Sequence, residues 1–131
     1  MSQENAEILM RFATEFNERG WEALRDFADP DIEFDEPPEQ PGAGKFRGIE
    51  AVMGAVARWA EAWEGQRTAP ERVIDPGDTM VVLTLERLVG RDGIELEQRS
   101  GNVFTFRDGK IVQWAAYWTP QSALEAVGFE E

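Results

Sequence analysis

The sequence predicts an α+β fold: a cone-shaped barrel in which a strongly bent, mostly antiparallel sheet wraps over a long helix, with additional helices at the N-terminus. Three observations predict it. Apolar residues recur at helical spacing through most of the first half of the chain. They alternate at strand spacing in the second half, and Asp-Gly pairs separate the later strands.

Ile8, Leu9, Phe12, Ala13 and Phe16 share one face of a helix over residues 3–19, which Gly20 stops. A short helix over about 21–28 buries Trp21, Leu24 and Phe27, and Asp29-Pro30-Asp31 turns the chain. Ile32-Glu33-Phe34-Asp35-Glu36 alternates as a strand does. Residues 37–47 carry Pro37, Pro38, Pro41, Gly42 and Gly44 and read as a long loop, expected to act as a lid on a pocket. The clearest helix runs from Gly48 to Gly65, with Ile49, Val52, Met53, Val56, Trp59, Ala60 and Trp63 in one stripe.

Four strands follow, over 67–74, 79–89, 94–106 and 111–118. Asp75-Pro76-Gly77-Asp78 ends the first, Asp92-Gly93 and Asp108-Gly109 make hairpin turns, and Gly101 suggests a bulge. Thr119 and Pro120 read as N-cap and first residue of a last helix over about 120–127, closed by Gly128. The order is helix, helix, strand, helix, then a four-strand meander, with no internal repeat. A single domain over residues 1–131 is expected, and a bent sheet over a helix leaves a cavity between them.

Composition excludes much chemistry. The chain has neither cysteine nor histidine, which removes disulfides, thiolate nucleophiles, the usual zinc sites and every Ser-His arrangement. No metal and no cofactor are expected. Proton transfer must rest on Asp, Glu, Lys, Arg or the single tyrosine, Tyr117. A formal net charge of −13 repels nucleic-acid phosphates and anionic membrane surfaces. The N-terminus is polar and acidic, unlike a signal peptide, and no apolar run is long enough to span a bilayer, so a cytoplasmic location is expected.

The run from Phe104 through Thr105-Phe106-Arg107-Asp108-Gly109-Lys110 to Ile111, then Tyr117-Trp118 and Ala123-Leu124-Glu125-Ala126-Val127-Gly128-Phe129, resembles the C-terminal half of the SnoaL-like (nuclear-transport-factor-two-like) proteins. Phe16-Asn17-Glu18-Arg19-Gly20-Trp21 with Leu24, and Phe46-Arg47-Gly48 opening the long helix, resemble the N-terminal half. The resemblance covers nearly the whole chain. It implies the cone fold of ketosteroid isomerases, polyketide cyclases and limonene epoxide hydrolases, and a homodimer formed through the outer face of the sheet. Fold alone fixes no reaction.

Carried over residue by residue, the resemblance places Glu36, just before Pro37, at the isomerase's carboxylate base. Alternation puts Ile32, Phe34 and Glu36 on one strand face and Glu33 and Asp35 on the other. The oxyanion hole of such isomerases needs a tyrosine and a protonated aspartic acid. Here Phe12 stands at the tyrosine, Val56 at a supporting tyrosine, and Asn102 at the acid. An amide donates a hydrogen bond but no proton. One lost oxyanion donor costs about 10²–10³ in rate, so steroid isomerisation is not expected. The Asp-Arg-Asp set of the epoxide hydrolases has no counterpart. Ser100 and Asn102 share one strand face, Trp114 and Ala116 one on the next strand, and Glu97 and Arg99 fall on the other face unless a bulge at Gly101 swaps them.

Two catalytic candidates therefore stand out: Glu36 as general base and Asn102 as donor to developing negative charge. Phe12, Phe16, Val56, Trp59, Trp63, Phe104, Trp114 and Trp118 are the expected binding surface for a hydrophobic, polycyclic or aromatic small molecule. Two readings without chemistry use the same fold: a ligand-binding module, and a dimerisation domain whose cavity Trp59, Trp63 and Trp118 pack shut.

Overall fold

The computed structural model describes residues 2–75 and 79–129. Helix α1 (Ser2–Arg19) buries Leu9, Phe12 and Phe16 and ends where Gly20 takes a left-handed φ of 71°. A 3-10 turn (Gly20–Ala23) leads into α2 (Leu24–Phe27). α2 is shorter than the spacing predicts, because Asp29 precedes Pro30 and such a residue is pushed toward extended backbone. Strand β1 (Ala28–Asp35) begins there. β2 (Lys45–Arg47) follows, then helix α3 (Ile49–Ala60) and strands β3 (Trp63–Ile74), β4 (Thr79–Gly90), β5 (Glu95–Arg107) and β6 (Lys110–Tyr117). Helix α4 (Pro120–Ala126) closes the order, with the Thr119 side chain capping the Ser122 N–H as expected.

The six strands form one sheet in the order β2-β1-β6-β5-β4-β3. Neighbours are antiparallel except β1 and β6, which run parallel. α1 and α3 cover the concave face. The core between them is held by side chains such as Leu24, Ile32, Val52 and Ile111, each 0% exposed. α4 packs on the opposite face, where Ala123 and Leu124 meet Val81, Leu83, Val103 and Tyr117.

Three sequence expectations are corrected. The long helix stops at Ala60, not Gly65. Trp63 sits at a helical interval from Trp59, yet its backbone pairs with Gly90 in β4, and the Arg91 guanidinium donates to the Glu61 carbonyl at the helix end. Residues 37–47 are not wholly loop, since Lys45–Arg47 pair with β1. Gly101 is no bulge: β5 pairs with β4 without a break through it. A Cβ there would lie 2.4 Å from the Ala123 Cβ, so the glycine serves the close approach of α4. The irregularity in this sheet region instead falls between Thr105 and Phe106, opposite β6. The turn expected at Asp75–Asp78 falls largely on residues 76–78, outside the described residues.

Candidate functional site

An unbroken β5 settles which side chains face inward. Counting by twos, Ser100, Asn102 and Phe104 point to the concave face, as do Val82, Thr84 and Glu86 on β4 and Thr68 and Pro70 on β3. Glu97 and Arg99 lie on the outer face, in ion pairs with Arg87 and Glu71. Between the concave face and helices α1 and α3 lies a cavity of about 150 Å³.

One end of the cavity is aromatic. Phe34 stacks on Trp114 with ring centres 4.0 Å apart, and Phe104 and Trp21 flank Trp114 at 6.2 and 5.5 Å. Phe16 meets Trp21 at this end and Phe12 meets Phe16, both from α1, while Val56 and Trp59 line the cavity from α3. Trp118, 43% exposed, stands on the cavity wall toward solvent. Trp63 does not line the cavity. It lies behind Trp59 with ring centres 5.7 Å apart, because the chain has already left the helix, and its indole N–H is buried with no partner among the described residues. The cavity is open rather than packed shut by Trp59, Trp63 and Trp118.

Glu36 faces the cavity and Asp35 faces away, paired with the Lys45 ammonium at 3.2 Å. The Glu36 N–H donates to the Gly44 carbonyl, and the Gly44 N–H donates to Glu36 Oε1, both at 3.0 Å. This reciprocal clamp fixes one carboxylate oxygen and leaves Oε2 without a partner among the described residues. Pro37 and Gln40 of the following loop also line the cavity. The loop is tied to α4 by the Ser122 hydroxyl, which donates to Glu39 Oε2 at 2.7 Å. That bond, with backbone donors, holds the Glu39 carboxyl below its ordinary pKa.

Asn102 is oriented by a neighbour. The Trp114 indole N–H, a donor only, donates to Asn102 Oδ1 at 2.8 Å. The amide carbonyl must therefore face Trp114, which turns the NH₂ group away from it. Asp35 pairs with Ala115 and Asn102 with Ala116. One residue on, Glu36 comes level with Ala116, so Glu36, Ala116 and Asn102 form a row across three strands. Two strand spacings separate the backbones of the acid and the amide, about 9–10 Å. The residue between them in this row is Ala116, whose small side chain also lines the cavity.

A second carboxylate was missed in the sequence. Glu86 lines the cavity, accepting from the Ser100 hydroxyl at 2.5 Å and from Gln66 Nε2 at 2.6 Å. Gln66 is oriented in turn by the Trp59 indole N–H, which donates to its Oε1 at 3.2 Å. The signal was available: Met80, Val82, Thr84, Glu86 and Leu88 alternate on one face of an otherwise apolar strand. Among the described residues no group of three or more acidic side chains is placed to hold a metal ion, and no helix is long and apolar enough to cross a membrane.

The SnoaL-like domain family matches residues 9–114. The chain belongs to this family. An uncharacterized protein of Mycobacterium tuberculosis is 29% identical to this SnoaL-like domain over 98 residues, 74% of this chain and 75% of its own. Among solved structures, an NTF2-like protein of unknown function from Burkholderia pseudomallei aligns with a TM-score of 0.77 at 18% identity, over 95% of this chain and 98% of its own. TerC, co-crystallized with polyporic acid, gives 0.77 at 22% identity, over 93% and 96%. A protein of ketosteroid isomerase-like fold from Catenulispora acidiphila, in complex with trimethylamine, gives 0.72 at 16% identity, over 95% and 94%. At such identities the likeness is one of fold.

Proposed function

We propose that this SnoaL-like domain binds a hydrophobic, ring-bearing small molecule in its cavity and takes a proton from it with Glu36. The Asn102 amide donates to the negative charge that develops. The observation that carries the reading is the row Glu36–Ala116–Asn102 on the cavity floor, with the amide oriented by Trp114. A base and a hydrogen-bond donor flank a floor position where a reacting carbon and its carbonyl oxygen fit. Family membership supports the binding half, as do two similar folds crystallised with small organic molecules. A cavity near 150 Å³ has room for roughly one benzene-sized ring, and further rings would extend past Trp118.

The test follows proton exchange. A panel of aryl ketones with acidic α-hydrogens is incubated in D₂O and read by NMR. The wild type is expected to accelerate exchange for at least one member, and Glu36→Gln to abolish that while keeping affinity. Undiminished exchange in the variant removes Glu36 as the base.

A second reading, binding without turnover, has its own support. Phe12 and Val56, 8% and 3% exposed, present only hydrocarbon where isomerase-like relatives place hydroxyl donors. Ligand binding with no exchange by the wild type favours this carrier. In both readings the chain is one domain over residues 1–131, cytoplasmic, and paired through the outer sheet face. Sedimentation velocity tests the pairing, and a purely monomeric boundary refutes it.

A further inference from the structure

The charges of this protein are sorted. The ion pairs of Arg19, Arg25, Lys45, Arg87 and Arg99 all lie on the exterior. Among the described residues, the cavity wall holds two carboxylates, Glu36 and Glu86, and neither lysine nor arginine. Neither carboxylate has an ion-pair partner among the described residues. Glu86 is half-buried and receives two neutral hydrogen bonds, from Ser100 and Gln66. These orient it without cancelling its charge. Withdrawn carboxylates are ordinarily matched by a cation, and the described residues supply none here.

We infer that the cavity selects cations: its occupant carries a protonated amine directed at Glu86, on a hydrophobic body held by the aromatic end. This rests on the reading that the cavity binds a small molecule, and it names the class. Three features agree. An ammonium gives Glu86 a charge-assisted hydrogen bond. The ring of Trp59 stands one amide away from that carboxylate, through Gln66, and an indole face attracts a cation. The net charge of −13 raises the local concentration of cations and repels anions during approach. A carboxylate-bearing molecule of equal size would meet two like charges and no counter-charge.

The experiment uses three probes of matched shape at neutral pH: phenylbutylamine, phenylbutanol and phenylbutyrate, which are cationic, neutral and anionic. Affinity is read by calorimetry and by quenching of tryptophan fluorescence. The amine is expected to bind most tightly, ahead of the alcohol, with the carboxylate weakest and an amine-to-carboxylate ratio of about tenfold or more. In Glu86→Gln the amine should lose its advantage over the alcohol, its affinity falling by more than the alcohol's. That variant changes the overall charge by a single unit, so a preference due only to the general field would survive it. Survival of the preference overturns the assignment to Glu86. Equal or tighter binding of the carboxylate to the wild type overturns the inference and leaves the binding reading standing. Binding of none of the three overturns both.

Discussion

Replacing Gly101 by alanine drives a methyl group into α4. Built on the native backbone, the new Cβ falls 2.4 Å from the Ala123 Cβ, 3.4 Å from the Thr119 carbonyl oxygen and 3.5 Å from the Pro120 Cα. Carbon atoms in contact lie about 3.5–4.0 Å apart, so the helix must retreat by roughly 1 Å. A rotamer change cannot relieve this, because Ala123 has none and the other two neighbours are backbone. Retreat loosens the seat of Ala123 and Leu124, 0% and 7% exposed. Overpacking of this kind costs about 1–3 kcal/mol. In a domain of this length each kcal/mol lowers the melting temperature by about 3–5 °C, so a fall of about 3–15 °C is expected by circular dichroism. Adding Ala123→Gly removes the opposing methyl. It costs about 1 kcal/mol of helix propensity yet should recover part of the loss, a coupling visible in a double-mutant cycle. Strictly additive melting temperatures, or an alanine variant that melts with the wild type, refute the contact.

Two further outcomes follow from groups with shifted pKa values. The folded state depresses the Glu39 carboxyl, so the tether to Ser122 is present above the ordinary value of 4.5 and is lost as the pH falls through its lower folded value. Ser122→Ala should mimic that loss at neutral pH, speeding amide exchange over residues 38–44 and probe dissociation with an unchanged melting temperature. A large stability drop instead would show that the loop is structural. Burial first, then the charges of Asp35 and Glu39, raise the Tyr117 phenol above its ordinary value of 10.0. The unfolded chain therefore ionises first, and stability contributed by the neutral phenol is lost as the pH rises past 10. The single phenolate absorbance transition should lie above pH 10 in the native protein and return to about 10 in denaturant. A native transition at or below 10 would contradict the packing of Tyr117.

Local grammar carried most of the architecture. Gly20 and Gly128 sit at the ends of their helices with positive φ, as do Gly93 and Gly109 in their hairpin turns. Thr119-Pro120 caps its helix. The failures share a cause, since each depended on a partner distant in the chain. Trp63 fits the helical stripe of α3, and only pairing with Gly90 pulls it into a strand. Gly101 marks a bulge or a close approach equally well until α4 is placed above it. Alternation put Glu36 on the face of Ile32 and Phe34, and the placement of the sheet makes that face the inward one. The clamp of Glu36 by Gly44 was not legible, because that bond needs the loop to fold back. Glu86 was legible in principle, but one charged residue in an apolar strand gains meaning only beside Ser100 and Gln66.

The parallel pairing of β1 with β6 bears on how the protein is made. Glu36 reaches Asn102 only through Ala116, so the row needs residues 28–35 and 111–115 joined across most of the chain. Closing so long a loop is entropically slow compared with zipping the β3–β6 hairpins. The meander can assemble from neighbouring segments, whereas the Glu36–Ala116–Asn102 row exists only after β6 has been synthesised and has received β1. A nascent chain stalled before residue 110 would thus hold the β3–β5 hairpins and lack the strand that joins Glu36 to Asn102.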